Sequence, residues 1–249
     1  MVRVVMAAAT VAAMVAAHGC GGAPGTPDND APPKVSARPI TRVPIEEPEE
    51  DDDGVQVVSK HGRMEPSVVD AGIEPYKERL FECYTSQVGR RRWLGGHVAL
   101  QWQIKANGEV KAVKVSESDL GAWAIEKCLL EVAREATFDK PIGGDATFTI
   151  PLDFTLKGTL ISWDEDTSLK ATQSQLPKLD ACAKGKVRMP NDVTITVYVG
   201  ARGKPQSVGF SSPKTVLEDE WAECAEKAVL AWKLPDPKGQ VAKLAVRYR

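Results

Sequence analysis

The chain has no Cys-x-x-Cys pair, no Gly-x-Ser-x-Gly elbow, no phosphate-binding loop and no dinucleotide fingerprint. The usual sequence marks of dithiol, serine-hydrolase and nucleotide chemistry are therefore missing, and an enzyme is not expected. Histidine is scarce. Of the three present, His18 belongs to the N-terminal apolar run, and His61 and His97 lack the Cys or carboxylate spacing of a zinc site, so neither a metal nor any other cofactor is expected. Charge of one sign is not in excess either. The formal net charge is -2; residues 21–53 hold nine Asp/Glu against three Lys/Arg, which leaves 25 acidic and 28 basic residues over 54–249. That balance gives no case for nucleic-acid binding. The apolar run Val4–Ala17 falls short of the roughly 20 residues a permanent membrane span requires.

What is present begins with a secretion signal over residues 1–19: a charged start at Arg3, the apolar run, and a small-residue exit at Gly19-Cys20. Cys20, followed by Gly21, Gly22 and a Pro-rich stretch, resembles the lipobox of bacterial lipoproteins, where the Cys becomes the lipidated N-terminus. Ala17 and His18 depart from that pattern, and ordinary cleavage near Ala17 is the alternative. The expected location is exported and membrane-anchored, facing the periplasm, at the outer membrane. Residues 20–60 read as a tether. Their Pro, Gly and acidic content, with Glu46–Asp53 the densest run, supplies too little apolar surface to offset the roughly 1–2 kcal/mol per residue of ordering a backbone.

The remainder contains an internal repeat anchored on Cys128 and Cys224. Thirteen residues beyond each lies a Pro (Pro141, Pro237), fifteen beyond a Gly (Gly143, Gly239), and twenty beyond an apolar strand start (Phe148, Leu244). A turn Gly precedes each anchor (Gly108, Gly203), and further back comes a second Cys in each copy (Cys83, Cys182) after a Pro-started helical pattern. Each copy reads as helix, β-hairpin, helix, strand, which is an α+β fold with a three-stranded antiparallel sheet under helices. The boundaries are 61–157 for the first module, 158–175 for a linker and 176–249 for the second. In the first, Ile73, Leu80 and Cys83/Tyr84 mark a helix with Pro75 in its first turn. Val98, Leu100, Trp102 and Ile104 alternate as a half-buried strand, and Asn107-Gly108 suits a two-residue hairpin turn. Ile125, Cys128/Leu129, Val132 and Ala136 mark the second helix, and the last strand covers 146–154. The second module repeats this with Leu176, Leu179 and Cys182; Val193 to Val199; a turn at Gly200–Gly203; Trp221, Cys224/Ala225 and Trp232; and a strand over 241–248. Trp102, Trp123, Trp221 and Trp232 fall on apolar faces and are expected in the core.

Four cysteines beyond Cys20 allow three pairings. The repeat singles out Cys83 with Cys128 and Cys182 with Cys224, because that pairing closes each module by itself, and export makes oxidation plausible. Two pairs of buried free thiols are the alternative. Asp164-Glu165-Asp166, beside Trp163, is expected in an exposed linker turn. Arg90-Arg91-Arg92 is a candidate contact patch for an acidic partner, peptidoglycan or lipid headgroups, with a solvated loop as the plainer reading.

Gly62-Arg63-Met64, Cys83-Tyr84, Gly96, Asn107-Gly108-Glu109-Val110, Val115-Ser116, Cys128-Leu129, Phe138-Asp139-Lys140-Pro141 and Ile150–Phe154 occur in one order. Over His61–Phe154 this set resembles the C-terminal domain of the AgmX/PglI type of myxobacterial adventurous-gliding proteins, related to the TonB and TolA C-terminal domains. Asp139 departs from it, standing where that family has Pro, and the second module keeps only the cysteines, the turn Gly and Trp232–Pro237. The resemblance implies two tandem TonB-C-like modules and a non-enzymatic adaptor that takes up an extended partner segment at a sheet edge. The chain is thus expected to be a lipid-anchored envelope scaffold that binds envelope proteins or peptidoglycan, within a gliding-motility or trans-envelope complex. The alternative is a solute-binding lipoprotein with a deep apolar cleft between its modules.

Overall fold

A computed structural model describes residues 62–249. The secretion signal, Cys20, the acidic run Glu46–Asp53 and His61 lie outside the described residues. The described chain is mixed α+β.

In its first part, α1 (Pro66–Ile73) and α2 (Lys77–Val88) are joined by a 3-10 turn, Glu74–Tyr76. The helix therefore starts nine residues before Pro75, with Pro66 in its first turn. Pro75 sits at the joint instead, where its missing N–H breaks the α ladder and a tighter turn takes over. β1 (Gly96–Ile104) and β2 (Val110–Ser118) form the hairpin, α3 (Trp123–Arg134) follows, and β3 (Ala146–Phe154) closes an antiparallel sheet in the order β2-β1-β3. The hairpin turn is longer than the two residues expected. Gly108 N–H bonds to the Lys105 carbonyl at 2.8 Å and Lys105 N–H to the Glu109 carbonyl at 2.9 Å. Only Gly108, at φ 91°, takes the left-handed conformation, while Asn107 uses its Oδ1 to accept from Glu109 N–H at 3.0 Å. A turn closed by one left-handed Gly beside a bulge is the next commonest hairpin after the two-residue kind.

In the second part, β5 (Val193–Val199), β6 (Pro205–Ser211) and β7 (Ala242–Tyr248) repeat the three-stranded pattern, with α5 (Asp219–Leu230) between β6 and β7. The segment expected to be a plain linker is structured. β4 (Ile161–Ser162) pairs parallel with β7, giving four strands in the order β4-β7-β5-β6 rather than three. α4 (Glu165–Thr172) follows, capped by Asp164, whose carboxylate accepts Thr167 N–H at 2.7 Å, so this acidic triplet starts a helix instead of forming an exposed turn. Leu176–Cys182 is a 3-10 stretch, not an α-helix. Gly203 lies in the 3-10 turn Ala201–Gly203.

Cys83 is joined to Cys128 and Cys182 to Cys224, each with Cα atoms 5.6 Å apart. In both cases a helix or turn ahead of the hairpin is tied to the helix after it. Trp102, Trp123, Trp221 and Trp232 are all buried. The apolar interior is continuous across the two parts. An aromatic row crosses the junction from Trp123 to Phe210 (5.9 Å), Trp221 (5.6 Å) and Tyr248 (6.0 Å), centroid to centroid.

Candidate functional site

Among the described residues, two sheets present four lateral edges, β2 and β3 in the first and β4 and β6 in the second. The β6 edge is met by the first part of the chain: Ser212 N–H bonds to the Val115 carbonyl at 2.9 Å and Phe210 N–H to the Glu126 carboxylate at 2.8 Å. These two amides lie two residues apart, on one side of the strand, so a backbone carbonyl and a side chain stand where another strand would pair. β2 lies along the same junction through that Val115 carbonyl. The other edge strand of the second sheet, β4, is two residues long and pairs with β7 over Ala242 and Lys243 alone. Among the described residues, no strand pairs with the outer side of β3.

The backbone groups on that free side follow from the ladder. His97 N–H bonds to Asp119 Oδ1 at 2.5 Å and its carbonyl accepts Asp119 N–H at 3.0 Å, so His97 faces β2. By alternation Ala99 and Gln101 do the same. Their partners on β3 are Asp153, Pro151 and Thr149, which must then turn their backbone groups away from β1. Pro151 fits there, because its absent N–H costs the ladder nothing. The helix-side face of β3 carries Phe148, Ile150 and Leu152, all half-buried. Phe148 stacks on Trp102 at 5.4 Å and meets Phe138 edge-on at 5.1 Å. Beyond that row the apolar surface is unfinished.

The Arg90–Arg92 segment is placed beside one end of this strand. Lys157 N–H, three residues past Phe154, bonds to the Arg92 carbonyl at 3.1 Å. The segment turns through Arg91 N–H to Val88 (2.9 Å) and Leu94 N–H to Arg91 (2.8 Å), leaving Arg90 and Arg92 exposed. Nothing in the sequence signals that the basic segment and the last strand of the first sheet meet. At the same end, His97 Nδ1 lies 3.0 Å from Asp153 Oδ1.

The junction itself is built from residues the sequence does not single out. The outer face of β5 packs on the first part of the chain: Tyr198 Oη donates to the Gly95 carbonyl at 2.8 Å and Thr196 Oγ1 to the Ser118 carbonyl at 3.4 Å. On β6, Ser207 Oγ donates to the Gly121 carbonyl at 2.7 Å. Glu126, fully buried on α3, accepts from Ser118 Oγ at 2.7 Å as well as from Phe210 N–H. A Cβ on Gly209 would lie 2.3 Å from its carboxylate, so Gly209 is the gap into which Glu126 fits. Burial pushes this carboxyl up to about 7, against the opposing pull of its hydrogen bonds from Ser118 and from the backbone of Phe210, Ala122 and Gly121. The Glu126 carboxyl is sealed from solvent and acts as a joint between the two parts.

A cleft of about 540 Å³ opens beside this junction, lined by Ser116, Glu117, Thr194, Thr196, Ser211 and Arg247 among others. Its lining is rich in hydroxyls and charge, unlike the deep apolar cleft that a solute-binding role calls for. The free β3 edge is the better candidate site. Comparison of the chain with protein-family models, with curated proteins and with solved structures gives no match.

Proposed function

We propose that this chain is an exported, lipid-tethered, non-enzymatic binding protein of the cell envelope, built from two tandem TonB-C-like modules, and that it takes up an extended partner segment along β3. The observation that carries this reading is the free outer side of β3, a nine-residue strand flanked by the half-buried row Phe148, Ile150 and Leu152. An added strand gains main-chain hydrogen bonds from the edge and covers that row with its alternate side chains. The resemblance of His61–Phe154 to AgmX/PglI-type domains supports an adaptor role, with a gliding-motility or trans-envelope complex as its setting and an envelope protein as partner. The two disulfides support an oxidising compartment such as the periplasm. A lipidated Cys20 would hold the chain at the outer membrane; mass spectrometry of the mature N-terminus is expected to find acyl groups on Cys20, and cleavage near Ala17 without them would remove the tether from the proposal.

Selection of displayed decapeptides against the full chain is expected to return extended binders that slow amide exchange at Thr147, Thr149 and Asp153. Thr149→Pro deletes one outward N–H without touching the β1 ladder and should weaken those binders roughly tenfold, the effect of about 1.4 kcal/mol. Binders that protect other amides, or that tolerate Thr149→Pro, would overturn the reading.

A further inference from the structure

The face of the second sheet turned away from α5 is only partly covered by the first half of the chain. On this face β6, β5 and β7 set their side chains in rows by register: Ser207, Tyr198 and Lys243; then Gly209, Thr196 and Ala245; then Ser211, Thr194 and Arg247. The first row is used by the junction. Ser207 and Tyr198 donate to the Gly121 and Gly95 carbonyls, and Lys243 Nζ pairs with Asp119 Oδ2 at 2.9 Å. In the second row Gly209 admits Glu126 and Thr196 donates to the Ser118 carbonyl, while Ala245 stays exposed. The third row is left open. Neither Thr194 Oγ1 nor Ser211 Oγ has a hydrogen-bond partner among the described residues, although Ser211 is only 2% exposed. Neither oxygen is closed off from solvent, so both open into the cleft beside the junction.

This open row is the floor between two walls. On one side Ser116 and Glu117 of β2 bound the cleft of about 540 Å³. On the other, Trp163, Glu165 and Leu169 bound a hollow of about 400 Å³ that shares Thr194, Ala245 and Arg247 with the cleft. The Trp163 N–H holds that residue in place by bonding to the Lys243 carbonyl at 2.8 Å, and Leu169 is 49% exposed. Each hollow falls within the roughly 300–1,000 Å³ of small-molecule sites. We propose that the two together form a trough that binds a neutral oligosaccharide, with Ser211, Thr194 and Arg247 as its polar floor and Trp163 as its apolar wall.

A sugar ring has apolar C–H faces and a rim of hydroxyls that both donate and accept, and the trough offers a counterpart to each. Trp163, Leu169 and Ala245 supply apolar surface. The Thr194 and Ser211 hydroxyls donate and accept, and the Glu117 carboxylate, which makes no ion pair among the described residues, accepts. Arg247, tethered through its Nε to Asp192 Oδ1 at 3.4 Å, donates. Cross-strand neighbours have Cβ atoms about 5 Å apart, so one extended ligand reaches the whole row. Other ligands fit less well. An anion would face Glu117 and Glu165 against a single arginine already paired with Asp192. An apolar solute would leave two hydroxyls desolvated and unbonded. An added strand has nothing to pair with, because the backbone groups of β5 are taken up by β6 and β7. The site stands without the docking reading, since β3 is an edge of the other sheet.

Calorimetric titration of the full chain with the linear tetramers of glucose and of N-acetylglucosamine tests the site. At least one is expected to bind with a Kd on the order of 0.1 mM. Thr194→Val with Ser211→Ala removes both open hydroxyls while keeping a β-branched residue on the strand, and should weaken that binding at least tenfold. Ala245→Tyr fills the floor from an exposed position and should abolish it. Circular dichroism and melting of both variants establish that they are folded, and if Ala245→Tyr is not, the double variant decides alone. Thr149→Pro, on the β3 edge, should leave the saccharide affinity unchanged, which keeps this site distinguishable from peptide docking there. Failure of both tetramers to bind would overturn the proposal. So would binding that survives the double variant, or that is lost in Thr149→Pro, or that inorganic phosphate displaces.

Discussion

Replacing Cys182 and Cys224 together by alanine is expected to lower the stability of the chain by about 4 kcal/mol, with the melting temperature falling by roughly 10 °C. The loop closed by this bond spans 42 residues, and opening it returns the corresponding chain entropy to the unfolded state. The consequence is sharper here than loop length alone implies. Cys182 ends a 3-10 stretch, Leu176–Cys182, whose turns hold less well than α-helix and whose buried side chains are Leu179 and Cys182. Besides the disulfide, that stretch is held by Asp180, which accepts from Tyr248 Oη at 2.5 Å and pairs with Arg249. Cys83–Cys128 spans 45 residues and should be worth about the same in unfolded-state entropy, but it ties α2 to α3, two helices with packed faces of their own. Urea unfolding with and without reductant, on the parent and on each double variant, measures both. A loss below about 1 kcal/mol for Cys182→Ala with Cys224→Ala would show that the second module does not depend on its bond.

The other large effect concerns Glu126 and depends on pH. Its carboxyl is raised from 4.5 in the unfolded chain to about 7 in the folded one, chiefly by burial. Between those values the folded state binds the extra proton, so stability falls as pH rises through the window and levels off above 7. The contribution is fully present below about pH 4.5, and what is lost by pH 8 is on the order of 3 kcal/mol. Glu126→Gln keeps the shape and can still accept from Phe210 N–H and bond to Ser118, yet cannot ionise. It should match the parent near pH 5 and exceed it at pH 8 by a few kcal/mol. Glu126→Ala, by contrast, strands Phe210 N–H and leaves a cavity, costing about 2–4 kcal/mol near pH 5; because it cannot ionise either, its deficit against the parent shrinks by the same few kcal/mol at pH 8. Shifts at other groups, such as Glu226, whose half-buried carboxyl is also raised, chiefly by burial, cancel in the difference between parent and Glu126→Gln. A difference that does not change between pH 5 and pH 8 would mean that Glu126 carries its charge in the folded protein without penalty.

The elements that alternate strongly are legible from their residues alone. β1 and β5 show their buried sides as Val98, Leu100, Trp102 and Ile104, and as Val193, Ile195, Val197 and Val199. α4 and β4 are not, for physical reasons. β4 is two residues long and cannot show alternation, and α4 offers mainly Leu169, itself half exposed, as an apolar landmark. Asp164 with Thr167 three residues on is a capping signal overshadowed by the acidic run. The junction is hidden more deeply. Thr196 and Tyr198 lie on the face of β5 that alternation assigns to solvent, and only the approach of Gly95 and Ser118 buries them. Glu126 follows Ile125 on an amphipathic helix and reads as an ordinary charged position. One cue is available: Gly209, a lone glycine inside a strand, marks a place where other atoms come close. The β3 edge is foreseeable in kind, as an open side of a three-stranded sheet. Which strand carries it depends on the engagement of β6, a long-range contact that no local pattern encodes.

That engagement makes the two halves unequal in what they require of each other. Residues 62–157 contain their own sheet, helices and disulfide. Residues 158–249 contain the same parts, yet Tyr198, Thr196 and the outward amides of Phe210 and Ser212 are completed only by atoms from Gly95, Val115, Ser118 and Glu126. During synthesis the first half leaves the ribosome, and any translocation channel, ahead of the second. The backbone carbonyls and the carboxylate that complete the later half thus belong to residues made before it.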